Sequence, residues 1–375
     1  MSVIILIIIL GVLIFVHELG HFLIAKKSGI RVDEFAIGFP PRIWSTVKNG
    51  TKYSLNWIPF GGYVKIFGEE ADDESLNPNN TNSFLNKSRL TQAAVLIGGV
   101  LFNVLFAWIL ISITLMAGSP AIVTESNRGD IKESFIMVTG VFENSPAAKA
   151  GIEPGDQILK VQKGETILNL DDITVESIQK IISAASAVES SSVDGSINNS
   201  VTLTLRRSGE EREVSVTAEK GIIGEQPAIG VSMDRVGKLQ LPFFRAIGQG
   251  FLLTGQTLKD IAIGLAHLIN LAIHGQGSLN DIAGPVGIVE LIGDAANFGF
   301  YYLVSFTAFI SLNLALLNIL PLPALDGGRL VVVLIESVTR RRIKPSIVNV
   351  VNSVGFALLI LLMIVITVND ILRLV

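Results

Sequence analysis

The chain has 375 residues, of which 49% are apolar and 17% charged, with a mean hydropathy of +0.56. That composition excludes an ordinary soluble globule, and a net charge of −4 without clustered basic and aromatic residues excludes nucleic acid as a partner. Cysteine is absent, so disulfide frameworks, thiolate zinc sites and thiol nucleophiles are excluded, and any metal must rest on His and carboxylates.

A membrane span takes roughly 20 mostly apolar residues. Residues 3–25 form the first such stretch; no basic segment precedes it and no small-residue cleavage pattern follows, so it reads as a retained helix, not a signal peptide. Within it, His17-Glu18-Leu19-Gly20-His21 is an HExxH motif. Two imidazoles four residues apart share one helical face, and the Glu lies beside the first of them, the geometry of two zinc ligands and a general base. Ionisable groups near a bilayer centre cost roughly 2.5–3.5 kcal/mol each on insertion scales, so three clustered there are expected to serve chemistry. A catalytic zinc takes three protein ligands and leaves one position open, so a third ligand must come from elsewhere.

Residues 26–92 are basic, with Asp33 and Glu34 in what reads as a charged loop. The alternating runs 42–47 and 52–57, joined by Lys48-Asn49-Gly50-Thr51, predict a β-hairpin. Trp44, Trp57, Ile58, Phe60 and Tyr63, with Gly61 and Gly62 between them, make it apolar enough to dip toward the membrane. The second span is residues 93–117; Gly98-Gly99 allow close approach of another backbone, and Asn103 is an amide in apolar surroundings, suited either to a substrate carbonyl or to interhelical hydrogen bonding.

Residues 121–238 carry 18 acidic and 12 basic residues and alternating segments such as 201–205 and 214–216, the pattern of a mostly β domain. Residues 189–200 (ESSSVDGSINNS) read as a long surface loop. Residues 141–152 (VFENSPAAKAGI) followed by 153–161 (EPGDQILKV) resemble a PDZ domain, which implies peptide or C-terminus binding by strand addition. Residues 243–274 are apolar around Lys259 and Asp260, and read as an amphipathic helix on the membrane surface in preference to a fifth span.

Residues 302–320 form the third span and 347–368 the fourth. Between them, residues 318–328 (NILPLPALDGG) place Asp326 among helix-breaking prolines and glycines, which at membrane depth is tolerated where backbone lines a cavity, so Asp326 is the expected third ligand. Asn318 is a second candidate substrate amide; His267 and His274 read as interfacial residues. Basic residues cluster in 26–89 and again at Arg340, Arg341, Arg342 and Lys344, which by the positive-inside rule places both loops in the cytoplasm and both termini outside.

Together the HExxH helix, residues 57–65 (WIPFGGYVK), Gly99 to Asn103, the PDZ-like segment, residues 283–288 (AGPVGI) and Asn318 through Gly327 resemble the site-2 protease family of intramembrane metalloproteases, in its bacterial regulator of sigma-E protease form. The resemblance implies Zn2+ bound by His17, His21 and Asp326, with Glu18 as base, and substrate binding by Asn318 and Asn103. It implies a multi-pass bacterial inner-membrane enzyme that cleaves single-span membrane proteins, with its active site toward the cytoplasm. An unwound substrate would pair with the hairpin and its exit loop, involving Tyr53, Leu55, Gly61 and Gly62. One departure is a single PDZ domain where well-known relatives have two. The expected fold is a polytopic helical membrane protein with four transmembrane helices, a cytoplasmic membrane-associated β-hairpin and an inserted extracytoplasmic PDZ-like domain. Its parts are residues 1–117, 118–240, 241–300 and 301–375. The rival readings are a non-catalytic PDZ scaffold and a metal transporter.

Overall fold

The computed structural model describes residues 1–69, 77, 79–124, 127–164, 166–169, 174–184, 200–207, 209–223, 226–277 and 284–374. The chain divides into a helical unit, Met1–Thr114 with Phe243–Val375, and a β-rich unit, Leu115–Pro242. Residues 241–300, expected as a separate segment, fall almost wholly within the helical unit.

In the helical unit, α1 (Ser2–Lys27) ends on Lys26 and Lys27, which complement the negative end of the helix dipole. It crosses α2 (Arg89–Ala117) backbone to backbone: a Cβ on Gly20 would strike the Gly98 carbonyl, and one on Gly98 would lie 2.9 Å from the Gly20 oxygen. Small residues at a crossing let membrane helices approach closely. Then come α5 (Phe243–Ile273), α6 (Pro285–Phe298), α7 (Phe300–Ile319), α8 (Asp326–Thr339) and α9 (Pro345–Leu374). Four of these helices, α1, α2, α7 and α9, are long and apolar enough to cross a membrane. α5 is one helix packed along α2 and α7: the Trp108 indole donates to the Ile247 carbonyl (2.9 Å), and Leu258 and Ile261 pack on Ala107 and Leu312. α6 sets Ile292 against Ile9 and Leu13 of α1, and its open N-terminus donates from Gly287 N–H to the Asp370 carboxylate of α9 (2.9 Å).

The hairpin is longer than its alternating core suggested, β1 (Val32–Lys48) with β2 (Thr51–Ile66), and it doubles back on itself. Residues 34–37 have Cα partners on both sides, 62–65 and 52–55, while 42–48 pair with 51–56, giving the lane order 42–48, 51–56, 34–37, 62–65. The bend lies beside the apolar middle of α1, where Gly61 faces Ile14 and Gly11 faces the Pro59 carbonyl. The tip returns to the end of α1, where the Lys26 ammonium donates to Thr51 Oγ1 (3.0 Å) and the Thr51 hydroxyl to the Val32 carbonyl (2.8 Å). Asp33 and Glu34 therefore sit in a strand, not a loop: 32–37 lacks strict alternation because it is paired on both edges while Val32, Phe35 and Ala36 pack inward.

The β-rich unit is an antiparallel sheet with strand order β3-β11-β4-β5-β7-β8 and β6 beside β5, where β3 is Ser119–Ile122, β4 Ile131–Val141, β5 Gln157–Lys163, β6 Thr166–Asn169, β7 Ser200–Arg207, β8 Glu210–Thr217 and β11 Val231–Leu239. A smaller pair, β9 (Glu219–Ile223) and β10 (Gln226–Ala228), lies apart from it. Helices α3 (Pro146–Lys149) and α4 (Val175–Ala184) complete the unit, around a core that includes Ile136, Ile158, Ile178, Leu203 and Ile229. Ser145 caps α3, its Oγ accepting from the Ala148 N–H, with Pro146 as the first helical residue. Of the expected surface loop, residues 189–199 lie outside the described residues and Ser200 opens β7.

Candidate metal centre

The α1 periodicity puts His17 and His21 one turn apart on the face toward α2, where both are buried, 7% and 6% exposed. Gly99 of α2 makes room for them: a Cβ there would lie 2.6 Å from His17 Cε1 and collide with His21 Nε2. Each ring is held from behind at Nδ1. His21 Nδ1 donates to the Val95 carbonyl (2.8 Å), which leaves Nε2 as the lone-pair nitrogen. His17 Nδ1 lies 3.3 Å from the Asn103 amide, whose Oδ1 is buried without a partner. The O and N atoms of an amide differ little in size, and turning this one over lets Oδ1 accept from His17 Nδ1–H, which leaves His17 Nε2 as its lone-pair nitrogen.

Asp326 arrives from far along the chain, as the first residue of α8, after the turn that follows α7. The glycines behind it are required by packing: a Cβ on Gly327 would strike the Ile319 and Leu320 carbonyls, and one on Gly328 the Leu322 carbonyl. Ala324 takes the left-handed conformation at φ 70°, with its N–H donating to Asn352 Oδ1 of α9 (3.3 Å). Asp326 Oδ2 lies 3.0 Å from His17 Nε2 and 3.2 Å from His21 Nε2, and the two nitrogens are 3.2 Å apart. Bonds of about 2.0–2.1 Å to a tetrahedral zinc separate ligand atoms by about 3.3–3.4 Å, so the triangle has the size for one such ion. Two imidazoles and a carboxylate also match a catalytic zinc donor set that leaves one position open.

Glu18 lines the cavity of about 770 Å³ in front of this triangle, and its Oε2 accepts the Val64 N–H of β2 (3.0 Å). The hairpin is thereby tied to the HExxH helix through residue 64, a contact that no spacing in the sequence announces. Residues 63–67 line the same cavity, and 62–65 form an outer lane of the sheet. Tyr53 and Leu55 do not offer an open edge: Tyr53 is flanked by Thr46 and Phe35, and Leu55 by Trp44 and Ile37. Gly62 opens the outer lane opposite Ile37, while Gly61, at φ 121°, is turned toward Ile14.

Asn103 is 0% exposed, so its amide meets the imidazole of His17 and is closed to a substrate. Asn318 is half-buried in the last turn of α7 and is not among the residues that line the cavity. Asp33 borders the cavity and pairs with Arg31 (2.8 Å). Glu34 is engaged elsewhere: burial alone would raise its carboxyl, but the Ser54 hydroxyl, Lys52 and Arg42 hold it below the usual carboxylate range. Arg329, one turn beyond Asp326, also lines the cavity and pairs with Glu69.

Residues 5–362 match the sequence profile described as Peptidase family M50. The chain belongs to that family. A zinc metalloprotease, RasP, of Geobacillus kaustophilus is 31% identical over an alignment that covers 99% of this chain and 97% of the relative. A protein of Clostridium perfringens, whose name assigns it provisionally to the zinc metalloproteases, is 35% identical, covering 96% and 95%. One of Clostridium acetobutylicum with the same provisional assignment is 32% identical, covering 99% and 97%.

Proposed function

We propose that His17, His21 and Asp326 hold the zinc of an intramembrane endopeptidase and that Glu18 is its general base. Membership of family M50 makes the chain a membrane zinc metallopeptidase. The observation that carries the residue assignment is the convergence of three donor atoms, 3.0–3.2 Å apart, from helices distant in sequence. A zinc ion seated there supplies Lewis acidity, acidifying a water toward neutral pH and polarising the scissile carbonyl. Glu18 takes the proton from the attacking water and returns it to the leaving amine. Val95 and Asn103 fix the imidazoles in the tautomer that presents Nε2.

A transmembrane substrate has its carbonyls tied up in helical hydrogen bonds and must unwind before attack. The lane 62–65 beside Glu18 offers that unwound segment a strand to pair with, and Gly62 lets it approach; Gly61 sets the bend behind it. Strand addition at Tyr53 and Leu55 is replaced by addition here. The substrates are single-span proteins of the bacterial inner membrane, and the basic residues of 26–89 and 340–344 support a cytoplasmic position for the zinc site with both termini outside. The β-rich unit is read as the PDZ domain; it carries a cavity of about 400 Å³ between α4 (Gln179, Lys180, Ser183) and Gly230, Val231 and Met233, a groove suited to an extended peptide or C-terminus.

Purified wild type and Glu18→Gln in detergent, compared for zinc content and for cleavage of single-span substrates, test the reading. Both should hold about one zinc per chain, with cleavage reduced roughly 10²–10⁴-fold in the variant. Equal cleavage by the two would remove Glu18 from the chemistry. Metal flux through reconstituted vesicles without cleavage would favour a transporter.

A further inference from the structure

A second cavity, of about 310 Å³, adjoins the metal cavity, and five residues border both: Glu69, Phe84, Leu96, Arg329 and Asn352. Beyond that shared wall its lining is mixed: Leu85, Val332, Val333, Ile343, Pro345 and Val348 give it an apolar side, and Gln92, Glu336, Arg342, Lys344 and Asn349 a polar one. Among the described residues its lining carries three basic side chains, Arg329, Arg342 and Lys344, and two acidic ones, Glu69 and Glu336. Glu69 is paired with Arg329, and Glu336 with Arg89 at 2.6 Å, so both acids are compensated. Arg342 donates to the Leu85 carbonyl (3.1 Å) and to Asn86 Oδ1 (3.2 Å), both neutral, and Lys344 stands exposed on the same rim. Among the described residues the result is a chamber with one apolar side and a cationic mouth.

The chamber lies where the substrate lane leads. The 62–66 strand runs past Glu18, and the chain continues through Phe67 and Gly68 to Glu69 on the wall between the two cavities. At about 3.3 Å per residue, the five residues from Val64 to Glu69 span at most about 17 Å, so the chamber takes a position a few residues from the scissile bond. Building on the peptidase reading and on strand addition at 62–65, we propose that this chamber is a specificity subsite. It accepts one bulky apolar side chain of the unwound substrate, and Arg342 and Lys344 accept an acidic side chain just beyond it. Burial of a Leu or Phe side chain in such a chamber supplies discrimination over Ala of the order of 10–200-fold in kcat/KM.

The test is a scan of one cleavable single-span substrate with Ala, Leu and Asp placed in turn two to six residues from the scissile bond on each flank. Wild type, Val332→Trp, which fills the chamber from a partly exposed wall position, and Lys344→Glu are compared. In wild type, Leu should exceed Ala at least tenfold in kcat/KM at one position, and Asp should be preferred one or two residues further out. Val332→Trp should abolish the Leu preference while cleaving the Ala substrate within twofold of wild type. Lys344→Glu should shift the outer preference from Asp to Lys. An unchanged Leu preference in Val332→Trp overturns the subsite, as does an equal loss on Leu and Ala substrates. A Lys344→Glu defect that follows the anionic lipid content of the vesicle for every substrate alike would assign the basic rim to the membrane and overturn it too. Failure of wild type to cleave any substrate better than Glu18→Gln would instead sink the peptidase reading itself.

Discussion

The two units each bury a polar cluster, and the clusters are built to opposite plans. In the β-rich unit, Asp156 is 1% exposed and every oxygen is answered: Arg207 donates to both, through Nε to Oδ1 (2.7 Å) and NH2 to Oδ2 (2.8 Å), and the Glu153 N–H adds a third bond (3.0 Å). That cluster is electrically closed and fastens the 153–156 turn to the end of β7. In the helical unit, the Nε2 atoms of His17 and His21 and Oδ2 of Asp326 converge across 3.0–3.2 Å, while both Nδ1 atoms are engaged from behind. A closed cluster is explained by folding. On the proposed zinc assignment a cation completes the open one, because converging lone pairs in a buried site repel unless a positive charge joins them.

Removing the key carboxylate of the closed cluster gives the larger effect on folding. Asp156→Ala leaves the Arg207 guanidinium half-compensated and should destabilise the β-rich unit by about 3 kcal/mol. In the full-length protein this is read as faster hydrogen exchange across 157–163 and 200–207, with zinc stoichiometry unchanged. Loss of zinc in this variant would break the contrast. The next effect belongs to the open cluster. Asn103→Ala should weaken zinc binding roughly 10–100-fold by releasing His17, measured by competition with a chelator, and should leave exchange across 157–163 untouched. Unaltered zinc affinity would mean that the imidazole is held without its amide.

The smallest effect is one of pH. Burial by itself raises the Asp156 carboxyl, but Arg207 and the Glu153 N–H hold it below the ordinary carboxylate range. The stability this confers is fully present above the unfolded value of about 3.9 and is lost as pH falls through the lower folded value. Exchange protection of the β-rich unit should therefore decline in acid below about pH 4 in wild type. Asp156→Ala should show a flatter acid limb, and parallel limbs in the two proteins would show that another carboxylate governs acid unfolding.

Much of this was legible in the sequence because the membrane makes it so. The four apolar runs became helices whose ends differ from them by a few residues, as where 347–368 extends to Pro345–Leu374 and 302–320 became Phe300–Ile319. HExxH and Asp326 could be named because few ionisable groups are tolerated among such neighbours. The partners behind them could not. Val95 acts through its carbonyl and Val64 through its N–H, and neither function depends on a side chain that a sequence displays. Asn103 was visible as a polar residue in a span, but whether it faced a substrate or an imidazole depended on the Gly20 to Gly98 crossing. The strand at 32–37 was hidden because pairing on both sides removes the alternation that marks a half-exposed strand. Tyr53 and Leu55, by contrast, alternate well and so drew attention, although they lie in an inner lane.

The doubled hairpin restricts how this protein can vary in length. Residues 52–55 belong to two seams at once, one with 42–48 and one with 34–37. A single inserted or deleted residue there would slip both, turning inward faces outward across three neighbouring strands and displacing the lane that meets Glu18. Within residues 42–56 a length change is therefore expected to be tolerated best at the Asn49-Gly50 tip, where a Cβ on Gly50 would touch nothing within 4 Å. Natural insertions gathered at that tip, beside the final turn of the first helix, would be the record of that restriction.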